Sequence, residues 1–200
     1  LYWAHEETKD PRFIQIAMIH ADMAEKYFIR ADGSVNHIIE INPANGEFLK
    51  TYRGQGYEEG SSWTRGQAWA IYGFALSYMH TKKESYLNAA KRVANYFIAN
   101  IPNSGLIPVD FRQPQDCYLE DSTASAIAAC GMLEIAKQVS QTESHIYQNA
   151  AIRLMKVLEQ ERCNWDEDWD HILEKGTAAF HDREHEFAII YGDYYFIEAI

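Results

Sequence analysis

The stretch TKKESYLNAA at residues 81–90 decides the predicted fold. In it, Thr81 ends one helical run, the aromatic Tyr86 follows five residues later, and Ala90 comes four residues after that. The second run carries apolar residues at i, i+3 and i+4 spacing, which is typical of an amphipathic helix. The stretch is therefore predicted to form the turn and second helix of a helical hairpin.

The same template occurs once before and once after this stretch. Its further copies are Thr8, Phe13 and Ala17, and then Thr142, Tyr147 and Ala151. Two other runs, residues 66–70 and 124–131, are rich in Gly and Ala, which predicts helices whose axes approach a neighbour closely, as an inner ring of helices would require. These features predict an all-α fold built from repeated helical hairpins.

Three long segments between the helical runs have a different pattern. Residues 32–60 alternate apolar and polar side chains before an Asn-Gly pair, which predicts short strand-like pieces or a hairpin. Residues 102–121 are interrupted by prolines, and residues 165–192 mix charged, His and aromatic side chains. Long loops in a compact domain are usually functional, so these segments are candidate site loops.

The composition narrows the possible functions. The chain has 200 residues, 47% of them hydrophobic, and a formal net charge of -11, which argues against nucleic acid or an anionic membrane as a partner. No apolar run has the length that crosses a bilayer. Cys117, Cys130 and Cys163 show no metal-ligand spacing and are predicted to be buried, unpaired thiols. No phosphate-binding or dinucleotide-binding glycine pattern occurs, so neither a metal nor a cofactor is predicted.

The most informative segment for chemistry is residues 60–69. Ser61 or Ser62 is predicted to be a helix N-cap, which places Arg65 in the first helical turn. The helix dipole disfavours a cation there, so Arg65 needs a partner. Its partner is either a bound carboxylate or phosphate, or a nearby glutamate such as Glu58 or Glu59.

Other side chains are candidates for a ligand pocket. Trp69 lies four residues after Arg65 and therefore on the same helix face, and Trp63 lies at the start of the helix. Both indole rings fit a sugar platform, although Trp is more often a core residue. His37 and His181, in the long loops, are either donors to a ligand or hydrogen-bonded structural residues.

Two aspartates are predicted to be helix N-caps, Asp121 before Ser122 and Asp193 after Gly192. Neither has a second carboxylate at short spacing. The residues alone therefore indicate no paired acid and base.

Three blocks of the sequence resemble a known family. They are SSWTRGQAWAIYGF at 61–74, EDSTASAIAACG at 120–131 and YGDYYF at 191–196. Together they are similar to the unsaturated glucuronyl hydrolases of glycoside hydrolase family 88. The resemblance spans nearly all of the chain.

This resemblance implies a fold and a reaction. The family fold is an (α/α)6 barrel, a ring of six helical hairpins, and residues 1–200 are expected to form about half of that catalytic domain, with the N-terminal half absent. Family enzymes hydrate the double bond of a terminal 4,5-unsaturated uronic acid: an aspartate protonates C4 and water adds at C5. By the resemblance both central aspartates lie upstream of Leu1, so no catalytic residue is expected in this chain.

The resemblance also implies a set of substrate-binding residues. They are Arg65 and Trp69 at the uronate, Trp63 at the pocket rim, Gln55 in the preceding loop, and His37 and His181 facing the site. The chain departs from the family at Gly54, where family members often have His, and Arg53 precedes it.

The expected partner is an unsaturated acidic oligosaccharide, and the expected compartment is the bacterial cytoplasm or periplasm. Two alternatives stay open. One is an unsaturated rhamnogalacturonyl hydrolase, although residues 67–69 fit the glucuronyl family better. The other is a noncatalytic sugar-binding fragment.

Overall fold

Seven helices and one two-stranded sheet form the regular structure of the computed structural model, which describes all residues from Leu1 to Ile200. The helices pair in chain order into three hairpins, and the seventh helix packs on the fifth. The helices are α1 (Tyr2–Thr8), α2 (Pro11–Tyr27), α3 (Thr64–Thr81), α4 (Glu84–Ala99), α5 (Ser122–Ala136), α6 (Gln141–Glu161) and α7 (Ile190–Glu198). The predicted helical hairpins are therefore confirmed.

In the first two hairpins, the threonine of the repeat forms hydrogen bonds that stabilise the turn between the helices. The hydroxyl of Thr8 donates to the Ala4 carbonyl one turn back and accepts from the Asp10 N–H beyond the turn. The hydroxyl of Thr81 makes the same pair of bonds in the second hairpin. In both, the residue after the threonine is a lysine with positive φ that ends the helix.

The third copy of the repeat differs from the prediction. Thr142 lies inside α6 instead of at the end of the preceding helix. Here Ser140 caps the second helix, because its Oγ accepts from the Glu143 N–H. The aromatic and Ala positions keep their role, since Tyr147 and Ala151 are both buried.

Helices α3 and α5 form the inner layer of the structure. Thirteen residues of α5 are buried, most of them Ala, Ser or Gly. A Cβ at Gly131 would lie 2.8 Å from the backbone nitrogen of Tyr72 on α3, so the two helices approach as closely as the small side chains allow. The amphipathic helices α4 and α6 pack outside this layer through residues such as Tyr86 and Leu154.

The segment between α2 and α3 contains the predicted strand hairpin. Strands β1 (Ile38–Ile41) and β2 (Phe48–Tyr52) pair antiparallel, with Ile38 opposite Tyr52 and a bulge at residues 40–41. An Asn-Gly turn joins them, and Gly46 there has a φ of 73°.

The three long connections meet at one end of the helices. Backbone hydrogen bonds join Trp63 to the segment around Asp110, Gln55 to Phe180, and Ser122 to the segment around Lys175. This end therefore holds the candidate site loops.

The cysteines only partly match the prediction. Cys130 is buried, but Cys117 is exposed and Cys163 is half-buried. The prediction that Cys117 is buried is wrong, because this residue lies in the turn after Pro114. No helix has both the length and the apolarity that a membrane span needs.

Candidate functional site

A cavity of about 670 Å³ opens between α2, α3 and the loops at that end. It contains four of the residues predicted to bind substrate: His37, Gln55, Trp63 and Trp69. The helices α2 and α3 contribute mainly small and apolar residues to its lining, such as Ala21. The structure thus brings most of the predicted pocket together around one open space.

Arg65 lies behind this cavity instead of lining it. As predicted, it stands in the first turn of α3, and its side chain is 2% exposed. Its Nε donates to Oδ2 of Asp121 at 2.8 Å, its Nη1 donates to the Tyr191 hydroxyl and its Nη2 to the Thr177 carbonyl. The predicted alternative of a glutamate partner at position 58 or 59 is therefore wrong.

The serines before α3 do not cap the helix. Trp63 occupies the N-cap position, and no side chain accepts a capping hydrogen bond there. The Ser61 hydroxyl and the Ser62 N–H instead donate to the carboxylate of Asp110. The N-cap prediction is wrong for both serines, because α3 begins only at Thr64 and Asp110 engages the Ser61 hydroxyl.

Asp110 organises the loop that leads into the site. It is fully buried and also accepts from the N–H groups of Tyr57 and Arg112. Gly56 packs against it, because a Cβ at that position would lie 2.8 Å from Oδ2. The carboxylate thereby fixes the segment between Gln55 and Trp63.

His37 and Gln55 form a hydrogen-bonded pair on the cavity wall. Nδ1 of His37 accepts from the Gln55 backbone N–H at 2.8 Å, which leaves the proton of the neutral ring on Nε2. Burial lowers the pKa of His37; the Arg53 carbonyl acts in the opposite direction, and the charge of Arg65 adds to the lowering. The ring is therefore neutral and presents Nε2–H as a donor, while the Gln55 amide donates to the Ala178 carbonyl and keeps Oε1 as an acceptor.

Two tryptophans supply the aromatic walls. The ring of Trp63 lies 4.1 Å from that of His37, centroid to centroid, and covers Gly66. Trp69 packs edge-on against Tyr195 at 5.3 Å and lies 6.1 Å from Tyr191. These neighbours fix both indole planes, so the walls are formed before any ligand arrives.

His181 is the one predicted site residue that lies apart from both the cavity and Arg65. Its Nε2 is 2.6 Å from the Tyr57 carbonyl, and its ring packs against those of Tyr57 and Phe180. The neighbouring Phe180 N–H donates to the Gln55 carbonyl. In this structure His181 therefore supports the loop behind Gln55.

The two predicted N-cap aspartates have different roles. Asp121 does occupy the N-cap position of α5, but its carboxylate pairs with Arg65 instead of capping. Burial raises the pKa of Asp121, and the charge of Arg65 opposes that rise. Asp193 is in the first turn of α7, so its N-cap prediction is wrong, and its carboxylate accepts from the Leu173 N–H.

Sequence reasoning missed Asp110 and Tyr191. Asp110 follows a Pro-Val pair in a loop and gives no local signal of the loop it binds. Tyr191 stands in the third block of the family resemblance, which could have singled it out, but its contact with Arg65 spans 126 positions of the chain.

The chemistry of the cavity follows from its lining. Its 18 lining residues include aromatic rings, imidazoles and amides, but no carboxylate, lysine or arginine. Such groups hold a sugar by ring contacts and neutral hydrogen bonds, and Arg65 behind Trp63 places a positive charge beside them. No three His, Cys, Asp or Glu side chains converge in a way that could hold a metal ion.

The fold and the cavity together define a helical-hairpin protein with an aromatic-walled pocket at its loop end. Comparisons with known proteins show which family this chain resembles. The unsaturated glucuronyl hydrolase of Bacillus sp. strain GL1 is 37% identical over all of this chain, and the match covers 54% of that relative. The unsaturated chondroitin disaccharide hydrolase of Streptococcus pneumoniae is 32% identical over all of the chain and 52% of its own length. No protein-family model matches.

Solved structures agree with these relatives. The crystal structure of the Bacillus sp. GL1 unsaturated glucuronyl hydrolase superposes with a TM-score of 0.95 at 36% identity, over 99% of this chain and 54% of that one. An unsaturated glucuronyl hydrolase specific for heparin superposes with a TM-score of 0.94 at 29% identity, over 100% of this chain and 55% of its own.

The chain is thus related over its whole length to the unsaturated glucuronyl hydrolases, and the family resemblance predicted from the sequence is confirmed. It spans about half the length of the curated relatives it matches. Its all-α hairpin architecture is that of a partial helical ring, which confirms the predicted fold class.

Proposed function

We propose that a full-length protein containing these 200 residues removes a terminal 4,5-unsaturated uronic acid from acidic oligosaccharides. The reaction is hydration: a proton adds at C4, water adds at C5, and the resulting hemiketal opens and releases the remaining sugar. Residues 1–200 form about half of the (α/α)6 barrel in which this occurs, and the proton-donating aspartate comes from outside them.

The observation that carries the proposal is the whole-length match to unsaturated glucuronyl and chondroitin disaccharide hydrolases in both sequence and structure. One of the matched structures, from Streptococcus agalactiae, is a complex with dGlcA-GalNAc6S. Both relatives named by activity act on unsaturated sugars, which supports an unsaturated acidic oligosaccharide as the partner of this chain. The net charge of -11 is consistent with a protein that does not bind nucleic acid.

The site residues take complementary roles in this proposal. Trp63 and Trp69 form the walls against which the unsaturated ring packs, since both line the cavity. His37 supplies Nε2–H and Gln55 supplies Oε1 to the sugar hydroxyls. Arg65 supplies the positive charge that favours the uronate carboxylate.

His181 acts less directly. It contacts the Tyr57 carbonyl and stacks in the loop behind Gln55, so its contribution to binding is transmitted through that loop. We propose the bacterial cytoplasm or periplasm as the compartment, with glycosaminoglycan fragments as the substrate class.

The test is a panel of substrates given to the full-length protein. Turnover is followed as loss of the ultraviolet absorbance of the C4–C5 double bond. We expect turnover of unsaturated chondroitin, hyaluronan or heparin disaccharides. The corresponding saturated disaccharides lack this absorbance, and chromatography of the released sugars is expected to show that they are not cleaved. Activity confined to unsaturated rhamnogalacturonyl disaccharides would assign the protein to pectin breakdown instead, and binding without turnover of any member would leave a sugar-binding protein.

A further inference from the structure

The buried ion pair between Arg65 and Asp121 is the strongest electrostatic feature next to the cavity. Asp121 is fully buried, Arg65 nearly so, and the two groups are 2.8 Å apart. Removing two charges from water is costly unless their remaining hydrogen-bonding groups are also satisfied. Two hydrophobic side chains could fill the same space without this desolvation penalty. The presence of an ion pair here therefore suggests a functional role.

The contacts of the guanidinium restrict it to one orientation. Three of its nitrogens donate to acceptors on three different segments: Asp121 before α5, Tyr191 on α7 and Thr177 in the loop between them. The same group lies near two aromatic rings, with its central carbon 5.4 Å from the centroid of Trp63 and 5.5 Å from that of Tyr191. Arginine has five N–H donors, so part of its donor capacity remains for another acceptor.

The direction of the pair relative to the cavity also matters. Trp63 lines the cavity and contacts the guanidinium, whereas Asp121 does not line it. The pair is therefore a fixed dipole whose positive end is the nearer one to the cavity. In a site shielded from water, such a preorganised dipole favours an anion more strongly than a mobile charge does.

We propose that Asp121, assisted by the Tyr191 hydroxyl, is a positioning residue that fixes Arg65 so that the site distinguishes a uronate carboxylate from a neutral group. The inference rests on the proposed function for its substrate. Neither side chain lines the cavity, so both act on the ligand through Arg65.

The experiment compares two substrates in the full-length protein: an unsaturated uronyl disaccharide and its methyl ester, which lacks the negative charge. The measured quantity is the ratio of kcat/KM for acid over ester. For Asp121→Asn we expect this ratio to fall about tenfold or more, mainly through a higher KM for the acid, because an oriented charge-assisted contact is lost. For Tyr191→Phe, which unpairs no charge and so keeps the fold, we expect a fall of several-fold.

Asp193→Asn is the matched control. Asp193 is also a buried carboxylate, but it accepts from the Leu173 N–H and does not contact Arg65. We expect this variant to keep the wild-type ratio of acid to ester even if it unfolds more easily. Equal ratios in all three variants and the wild type would overturn the proposal.

A second readout does not depend on turnover. In the full-length protein, we expect the Nε–H of Arg65 to give an NMR signal that exchanges slowly with solvent. The signal is assigned by its loss in Arg65→Lys. We expect it to exchange faster in Asp121→Asn and Tyr191→Phe. A rapidly exchanging signal in the wild type would refute the positioning role. If the wild type turns over no uronyl substrate yet shows the protected signal, the proposed function fails while the fixed orientation of Arg65 stands.

Discussion

Replacing Gly131 by Ala tests the close packing of the inner helices. A Cβ at this position of α5 would lie 2.7 Å from Cγ2 of Ile71 and 2.8 Å from the backbone nitrogen of Tyr72, both on α3. The isoleucine can rotate away, but the backbone nitrogen cannot. The helix axes would therefore have to separate by several tenths of an ångström.

The magnitude follows from two opposing terms. Ala is better than Gly inside a helix by about 1 kcal/mol. Overpacking of a close helix contact costs about 1–3 kcal/mol. Gly73, inside α3, isolates the first term, because nothing lies within 4 Å of a Cβ built there and no overpacking can occur. We expect Gly73→Ala to raise the free energy of unfolding by up to about 1 kcal/mol. The free energy of unfolding of Gly131→Ala should be about 1–3 kcal/mol lower than that of Gly73→Ala.

The assay is urea unfolding of both variants beside the wild type, followed by circular dichroism at equal protein concentration. The difference between the two variants removes the helix-propensity term that they share. Equal free energies of unfolding for Gly73→Ala and Gly131→Ala would refute the claim that the Gly at 131 sets the distance between α3 and α5.

Three further predictions concern the loops around the cavity. Asp110→Asn should lower the free energy of unfolding by about 2 kcal/mol or more in urea titrations, because an amide cannot accept from all the donors that converge on this carboxylate. Burial lowers the pKa of His37, so the unfolded chain binds more protons than the folded one as the pH drops below about 6.5. The free energy of unfolding should therefore fall in that range, and His37→Gln should flatten this part of the plot of unfolding free energy against pH. Gly54→Ala should displace the His37 ring, seen as a shift of its NMR signals, because the new Cβ would lie 1.9 Å from Nδ1 and φ is 61°.

Each of these has its own control. Asp168→Asn changes an exposed carboxylate without charged partners and should leave stability within about 0.5 kcal/mol of wild type; an equal loss in both Asp variants would contradict the role given to Asp110. His145→Gln, at an exposed site on α6, should keep the wild-type pH profile. Unchanged His37 signals in Gly54→Ala would show that the ring does not pack over this turn.

The sequence predicted the helical hairpins well because their signals are local. The threonine hydroxyl at the end of a helix donates to the carbonyl one turn back, as Thr8 does to Ala4 and Thr81 to Ser77. The amphipathic spacing of α4 and the small residues of α5 likewise report burial without knowledge of the rest of the fold. The third turn was predicted wrongly because Thr142, which the template placed at the end of the preceding helix, lies inside α6, whose N-cap is Ser140.

The site was less predictable because its contacts are long-range. Local rules gave Arg65 either a bound anion or a neighbouring glutamate, and gave Ser61 or Ser62 a capping role. The protein partner of Arg65 is Asp121 and that of Ser61 is Asp110, each about fifty positions away. A buried carboxylate outcompetes local partners because its unmet hydrogen bonds are costly. Trp63, Trp69 and His37 were candidates from residue type and position, whereas Gln55 was named only through the family resemblance. The ligand contacts of all four remain predictions.

The central claim is that Arg65 and the two tryptophans bind the unsaturated uronate in a full-length hydrolase. The most direct test is the loss of double-bond absorbance from an unsaturated chondroitin disaccharide, measured with the full-length protein and with Arg65→Ala, beside Lys91→Ala as a surface control paired only with Glu143. The account predicts turnover by the wild type and by Lys91→Ala, and at least a hundredfold lower kcat/KM for Arg65→Ala, on the order of 3 kcal/mol. Turnover by Arg65→Ala at the wild-type rate would contradict it.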